Sequence, residues 1–200
     1  MKFILNYLMK TKSYKYLLIK VIPYIRFSMY YTKLKGHQYH VAYNVLEAGD
    51  ILLSVDDKKL TSFIIKGVFT HASFCVSKDG IFEIAEMTHT NYTKSCLFDI
   101  FKEADRVVIM RSDWDVEYKR RVIDRCRTLE RATYDIRFDL GVEQLYCSEL
   151  VYQSDFMKHL KLDLSDLAGL GRQYISPDGI YDCENLKVVY DSNDTLAVPI

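Results

Sequence analysis

The sequence predicts an α+β domain in which an antiparallel sheet packs against helices. Short apolar runs separated by turn residues fill the first half of the chain, a pattern typical of hairpin strands. Segments with helical spacing follow them, and strands followed by helices indicate this fold class. The chain has 200 residues, 49% of them apolar, which is enough to bury one main core without disulfides or metals.

The first 46 residues form a basic, aromatic arm whose composition differs from the rest of the chain. They contain eight Lys or Arg and no Asp or Glu, whereas the remainder carries 19 basic and 27 acidic residues. Apolar and aromatic residues alternate with the lysines at loosely helical spacing. No apolar run reaches the ~20 residues that span a bilayer, and no small-residue cleavage site follows. We therefore divide the chain into a helical arm at 1–46 and a domain at 47–200.

Two interpretations of the arm stay open. It is either a helix that packs on the domain with its lysines in water, or an interfacial helix whose lysines meet anionic lipid through residues 1–35. The five cysteines are odd in number and lack CxxC pairing, which is typical of reduced thiols. We therefore expect a cytoplasmic protein, peripheral at a membrane in the second interpretation.

The elements of the domain follow in order. A turn at Asp50 leads into the apolar run Ile51–Leu53, and Ser77–Gly80 supplies a hairpin turn. Strands are predicted at Thr70–Val76, Ile81–Glu86, Arg106–Arg111 and, at the end, Leu186–Tyr190. Helices are predicted at Leu97–Phe101, at Val116–Arg131 after an N-cap at Asp113 or Asp115, and from Cys147 onward. The segment Thr133–Leu145 and the tail from Ser165 are predicted as mainly loops.

The stretch QLYCSELVY places Cys147 where a loop becomes a helix. Unpaired N–H groups at a helix start favour thiolate over thiol, and they also offer donors to an oxyanion. Cys147 is therefore a candidate nucleophile. Glu149 lies one turn into the helix, where its charge would oppose the thiolate if it pointed inward.

A nucleophilic thiol needs a base, and His71 is the best candidate among the five histidines because a strand fixes its backbone. The next strand offers two acids to orient the imidazole, Glu83 and Glu86. Strand alternation puts Glu86 on the face of Phe82 and Ile84, which is the more apolar one. We expect this face to point inward and therefore favour Glu86, whose buried carboxylate needs a partner.

These residues, in this order, resemble the circularly permuted papain-like (NlpC-type) hydrolases, in particular the YiiX-like branch, which is related more distantly to lecithin–retinol acyltransferase. The resemblance covers roughly residues 47 to 160. It is carried by the following segments: Gly49-Asp50-Ile51-Leu52, Thr70-His71-Ala72, Glu86-Met87-Thr88, Tyr134-Asp135 and Tyr146-Cys147-Ser148-Glu149-Leu150-Val151. In the permuted group the histidine strand comes first and the cysteine helix last, as in this chain.

The resemblance implies a permuted papain-like fold with Cys147 as nucleophile, His71 as base and Glu86 as the orienting residue. A shifted alignment of the second strand would choose Glu83 instead. Tyr134 and Tyr146 would line the cleft, and Asp50 would be structural. The implied activity is that of a cysteine hydrolase (amidase or peptidase) or acyltransferase, acting on a peptide, amide or lipid-acyl substrate.

A second hypothesis is a non-catalytic binding module that keeps this fold and is recruited by its arm to an anionic partner or membrane. We expect no cofactor and no nucleic-acid partner, because the glycines form no phosphate loop and no cluster has metal-ligand spacing. Among the other cysteines only Cys96 also precedes a helix, and no histidine pairs with it. The remaining three, Cys75, Cys126 and Cys183, are predicted to be structural.

Overall fold

The computed structural model describes residues 11–21, 34, 36–56, 67–79, 81–162, 164–166 and 173–194. The helices are α1 (Lys12–Lys20), α2 (Gly36–Val45), α3 (Leu97–Glu103), α4 (Val116–Thr128), α5 (Cys147–Ser154) and α6 (Pro177–Tyr181). The strands are β1 (Ile51–Val55), β2 (His71–Ser77), β3 (Glu83–Thr88), β4 (Asn91–Ser95), β5 (Arg106–Ser112), β6 (Thr133–Tyr134), β7 (Gln144–Leu145), β8 (Leu164–Asp166), β9 (Gln173–Ile175) and β10 (Leu186–Asp191). The predicted α+β class is confirmed.

Six strands form one antiparallel sheet in the order β10-β5-β1-β2-β3-β4. The strand that begins with His71 therefore lies inside the sheet, between β1 and β3. Two small pairs stand apart from it: the parallel pair β6–β7 and the antiparallel pair β8–β9.

Helices cover both faces of the sheet, so its central strands are apolar on both sides. Helices α4 and α5 pack on one face through Val122, Cys126, Leu150 and Val151, against residues such as Leu53, Ala72, Phe74 and Met110. Helices α2 and α3 cover the other face through Ala42, Leu97, Ile100 and Phe101, against Leu52, Cys75, Ile84 and Ile109. The molecule is therefore layered as helix, sheet and helix around two apolar cores.

The turn before β1 is held by a buried ion pair. Both carboxylate oxygens of Asp50 accept hydrogen bonds from Arg111 on β5, each at 2.8 Å, and one also accepts the N–H of Glu47 at 2.8 Å. Gly49 adopts φ +92°, which glycine tolerates best, and an added Cβ would collide with the side chain of Lys119. These contacts support the structural role predicted for Asp50.

The N-terminal segment contributes two of the helices. Thr11 caps α1 by accepting the N–H of Tyr14 at 3.2 Å, and Tyr16 on this helix is exposed. Helix α2 packs on the domain, with Tyr39 against Phe101 and Ala42 fully buried. Within the described ranges, none of the helices combines the length and apolarity that a bilayer-spanning helix needs.

Several element bounds differ from the predicted ones. The strand predicted at Ile81–Glu86 runs from Glu83 to Thr88, and the helix predicted to Arg131 ends at Thr128 and continues as a 3-10 turn. The loops predicted at Thr133–Leu145 and in the tail contain the short elements β6 to β9 and α6. The predicted turn glycine Gly80 lies outside the described residues.

Candidate active site

Cys147 is the first residue of α5. Tyr146 caps the helix with extended backbone, and its side chain makes no capping bond. The first bond within the helix is donated by Leu150 N–H to the Tyr146 carbonyl, at 3.0 Å. The N–H groups at the start of the helix therefore have no carbonyl partner inside it and surround a thiol that is only 4% exposed.

The thiol of Cys147 lies beside the imidazole of His71, close enough for each group to shift the pKa of the other. The ring nitrogen Nε2 of His71 lies 2.8 Å from Oε2 of Glu86, which leaves Nδ1 for the thiol. The imidazole is partly open, with 26% of the side chain exposed. The structure thus brings together the three residues that the sequence predicts: the Cys147 thiol lies beside the His71 imidazole, which is hydrogen-bonded to the Glu86 carboxylate.

The electrostatics of these three residues favour a thiolate–imidazolium pair. Burial alone would raise the pKa of Cys147, but the hydrogen bond and charge of His71 and the N–H groups of Ala72 and Ser148 lower it below its ordinary value. Burial works against the His71 cation too, yet the bonds to Cys147 and Glu86 raise its pKa to about 10. These contacts therefore favour a thiolate beside an imidazolium over a neutral thiol beside a neutral imidazole.

The register of the sheet explains why Glu86 reaches His71. Glu86 lies opposite Ser73, two residues beyond His71 on the same strand, so the two side chains are diagonal neighbours. On its other side Glu86 accepts a hydrogen bond from the hydroxyl of Ser95 on β4. The carboxylate is therefore held from both sides and fixes the plane of the imidazole. Ser95 was not predicted, because only the β3–β4 register brings it to Glu86.

Glu83, the alternative acid, lies elsewhere. It begins β3 and its carboxylate faces Lys94, at 3.6 Å, in a partly exposed ion pair. The expectation that only one face of this strand is buried is wrong, because Ala85 and Met87 on the opposite face are buried as well. Strand register, and not burial, therefore selects Glu86 over Glu83.

The two tyrosines predicted to line the cleft differ in position. Burial, followed by the charge of Cys147, raises the pKa of Tyr134, so its phenol lies within electrostatic reach of the thiol. Tyr146 is fully buried, and its hydroxyl accepts the N–H of Ile175 at 2.9 Å. The prediction that Tyr146 lines the cleft is wrong, since its bulky ring is part of the core.

Glu149 points into the protein. Its Oε1 accepts the N–H of Gly141 at 2.6 Å, and the carboxyl group is completely buried. Burial raises the pKa of Glu149 to about 7, so its negative charge near the thiolate is reduced at neutral pH. This acid therefore anchors the loop that leads to Cys147 and does not oppose the thiolate with a full charge.

The other cysteines lack these surroundings. Burial raises the pKa of Cys75 to about 12 and that of Cys126 to about 11, so both stay thiols. Cys183 is also buried. Cys96 precedes α3, but its Sγ donates a hydrogen bond to the carboxylate of Asp99 at 3.1 Å.

Comparisons with known proteins agree with this arrangement. The crystal structure of metalloprotein yiiX from Escherichia coli O157:H7 is similar in fold, with a TM-score of 0.63 and 16% sequence identity. The similarity covers 73% of this chain and 97% of that one. No curated protein matches the sequence. The sequence profile of the permuted papain-like amidases, the YaeF/YiiX or C92 family of peptidases, matches residues 45–196, and the chain therefore belongs to this family.

Proposed function

We propose that this protein is a cysteine amidase in which Cys147 is the nucleophile, His71 the general acid and base, and Glu86 the group that orients His71. The observation that carries the proposal is the position of the Cys147 thiol, at the start of a helix and beside the His71 imidazole that Glu86 holds by a hydrogen bond. Family membership supports the amidase chemistry.

Acylation follows from the charges of the pair. The Cys147 thiolate attacks the carbonyl carbon of an amide, and the carbonyl oxygen becomes an oxyanion. The proton on Nδ1 of the His71 imidazolium then passes to the amide nitrogen, the C–N bond breaks, and an amine leaves. The products of this half-reaction are a thioester on Cys147 and a neutral imidazole.

Deacylation reverses the role of the histidine. Neutral His71 takes a proton from water, the resulting hydroxide equivalent attacks the thioester carbon, and the C–S bond breaks. A carboxylic acid leaves, and the thiolate–imidazolium pair forms again. If an amine or alcohol takes the place of this water, the same enzyme acts as an acyltransferase.

The start of α5 supplies the donors for the oxyanion. The N–H groups of its first turn have no carbonyl partner within the helix, and the helix dipole adds positive potential there. Removing one such donor from an oxyanion site typically lowers kcat by about 100- to 1000-fold. Backbone groups therefore stabilise the transition state, while the side chains provide the nucleophile and the proton.

The contact between Cys147 and His71 supports an enzyme over the alternative of a non-catalytic binding module. A module that only keeps the fold has no need for a thiol with a lowered pKa beside an oriented imidazole. The raised pKa values of the buried Cys75 and Cys126 are what a structural thiol shows in this same protein.

The proposed steps use the side chains and backbone of this chain alone. The similar E. coli protein is named as a metalloprotein. In the part of this chain that the structure describes, no three His, Cys, Asp or Glu side chains form a group suited to hold an ion.

The proposal is tested with an activated ester, p-nitrophenyl acetate, which transfers its acetyl group to a reactive thiol and releases coloured nitrophenolate. We expect a burst of nitrophenolate and one acetyl group per chain, found by mass spectrometry on the peptide that contains Cys147. Cys147→Ala abolishes both signals, whereas the matched variant Cys96→Ala keeps them. Undiminished acetylation of Cys147→Ala would show that another group is the nucleophile.

A further inference from the structure

The residues on either side of Cys147 are bound to the same tail residue. The backbone N–H of Ile175 donates to the Tyr146 hydroxyl at 2.9 Å, and the Ser148 hydroxyl donates to the Ile175 carbonyl at 2.6 Å. All three residues are buried. Both backbone polar groups of Ile175 are therefore used to hold the two neighbours of the nucleophile.

The same part of the tail also holds the segment that leads into the histidine strand. The carboxylate of Asp178 accepts the N–H of Val68 at 2.9 Å and that of Phe69 at 3.4 Å, two residues before His71. The ring of Tyr181 packs on Phe69, with centroids 5.0 Å apart. These contacts leave no space beside Gly67, where an added Cβ would lie 1.8 Å from the Asp178 carboxylate.

The two anchors of the tail, Ile175 and Asp178, are joined by a short segment with its own local hydrogen bonds. Ser176 lies between Ile175 and Asp178 and caps α6 by accepting the N–H of Gly179 at 3.0 Å. Its hydroxyl is also hydrogen-bonded to the hydroxyl of Ser165, at 2.9 Å. Pro177 begins α6 and restricts its backbone further. The two anchors are therefore held at a fixed separation by local structure.

We propose that residues 173–181, the tail clamp, set the position of the Cys147 thiol relative to the His71 imidazole. In this proposal Tyr146, Ser148 and Asp178 are positioning residues, since they act through the backbone on either side of the site. The inference rests on the proposed function, because it assigns the clamp to the thiol–imidazole pair. A displacement of about 1 Å in such a pair can cost about 100-fold in rate.

The experiment measures the rate of Cys147 alkylation by iodoacetamide against pH, followed by mass spectrometry of the Cys147 peptide in the full chain. The clamp variants are Ser148→Ala and Asp178→Ala, and the conservative variant Asp178→Asn keeps one carbonyl acceptor for the Val68 N–H. The matched control is Ser154→Ala, which removes a buried hydroxyl from the same helix. This hydroxyl donates a hydrogen bond to the Leu150 carbonyl at 2.7 Å, and that bond does not involve the clamp.

We expect the clamp variants to raise the pH midpoint of alkylation toward that of an ordinary thiol by about one unit, which slows alkylation about tenfold at pH values below the wild-type midpoint. Asp178→Asn restores part of the loss, and Ser154→Ala matches the wild type. Circular dichroism and thermal melting confirm that each variant is folded. Because a merely structural role lowers the melting temperature without moving the midpoint, this readout separates the two roles.

Tyr146→Phe, with Tyr118→Phe as its control, provides a second pair in case Ser148→Ala does not fold. The Tyr118 hydroxyl is bonded to Asp155 and not to the clamp. Clamp variants that keep the wild-type midpoint overturn the clamp alone. A wild-type Cys147 that titrates like an ordinary thiol overturns the proposed function and the clamp with it.

Discussion

The protonation state of Cys147 depends on the residues that contact His71. The His71 imidazolium lowers the pKa of the Cys147 thiol and therefore favours the thiolate. Glu86 holds Nε2 of the ring at 2.8 Å and thereby directs the other nitrogen to the thiol. Its negative charge also raises the pKa of His71. Orientation and charge at the Cys147–His71 pair thus depend on one carboxylate on the strand next to that of His71.

Replacing Glu86 by Gln is expected to slow p-nitrophenolate release by about 10- to 100-fold, the usual cost of losing a carboxylate that orients a functional histidine. The amide keeps the shape but removes the charge, so the pKa of His71 falls and that of Cys147 rises. The release rate at pH 6 to 9 measures the effect. Glu83→Gln is the control, and a larger loss in this variant than in Glu86→Gln would assign the orienting role to Glu83.

Glu149→Gln is expected to stabilise the protein above pH 7. Burial raises the pKa of Glu149 to about 7, so the folded chain binds this proton more tightly than the unfolded chain, whose Glu pKa is about 4.3. Stability is therefore lost as the pH rises from about 4.3 to about 7, and the neutral amide avoids this loss.

The measurement is the melting temperature of wild type and Glu149→Gln from pH 5 to pH 8. We expect the variant to melt several degrees higher at pH 8, because about 1 kcal/mol shifts the midpoint by about 2–4 °C in a domain of this size. The difference shrinks toward pH 5. Glu143→Gln, an exposed change in the loop that Glu149 anchors, is the control, and a difference that does not vary with pH contradicts the account.

At the scale of elements, the ion pair between Asp50 and Arg111 connects the turn before β1 to β5. Arg111→Ala leaves the fully buried Asp50 without its cation, which is expected to cost about 3–5 kcal/mol of unfolding free energy. Arg120→Ala breaks the exposed pairs with Glu117 and Asp124 and is expected to leave the unfolding free energy almost unchanged, because solvent screens exposed pairs. Urea denaturation compares the two variants, and equal losses would contradict the importance of burial.

The elements differ in how far the sequence predicts them. Apolar runs such as Arg106–Arg111 and the amphipathic spacing after Asp115 identify β5 and α4 because packing repeats along them. Two-residue strands such as β6 and β7 carry no periodicity, and their pairing depends on long-range contacts. The choice between Glu86 and Glu83 likewise depends on a register that no local pattern encodes.

The contacts between the tail and the Cys147 helix also could not be predicted from the sequence. Ile175 contacts Tyr146 and Ser148 through its backbone, and a backbone contact leaves no side-chain pattern to read. By contrast, the positions of Cys147 and His71 follow from a helix start and a strand, which the residues themselves indicate. The Cys147–His71 pair could therefore be predicted, whereas the contacts that hold it could not.

At the scale of the whole molecule, the chain combines a basic arm with an acidic domain. Residues 1 to 46 carry eight basic and no acidic residues, and α1 exposes Tyr16 and Leu17. If the arm binds an anionic membrane surface, deleting residues 1–35 abolishes association with vesicles that contain phosphatidylserine. Each lysine near such a surface contributes about 1 kcal/mol, and salt screens this attraction.

Vesicle sedimentation at about 50 and 500 mM salt measures the binding, on either side of physiological screening. Neutral phosphatidylcholine vesicles are the control for lipid charge, and the alkylation rate of Cys147 in the truncated chain is the control for folding. Equal binding of the full and truncated chains would assign the membrane contact to another surface, and no binding by either would leave α1 without this role.

The central claim is that Cys147 is a thiolate because His71 is beside it, and the pH dependence of its alkylation tests this most directly. We expect a wild-type midpoint well below the value of about 8.5 of a free thiol, and a midpoint near 8.5 or above in His71→Ala. Identical midpoints in wild type and His71→Ala would contradict the claim.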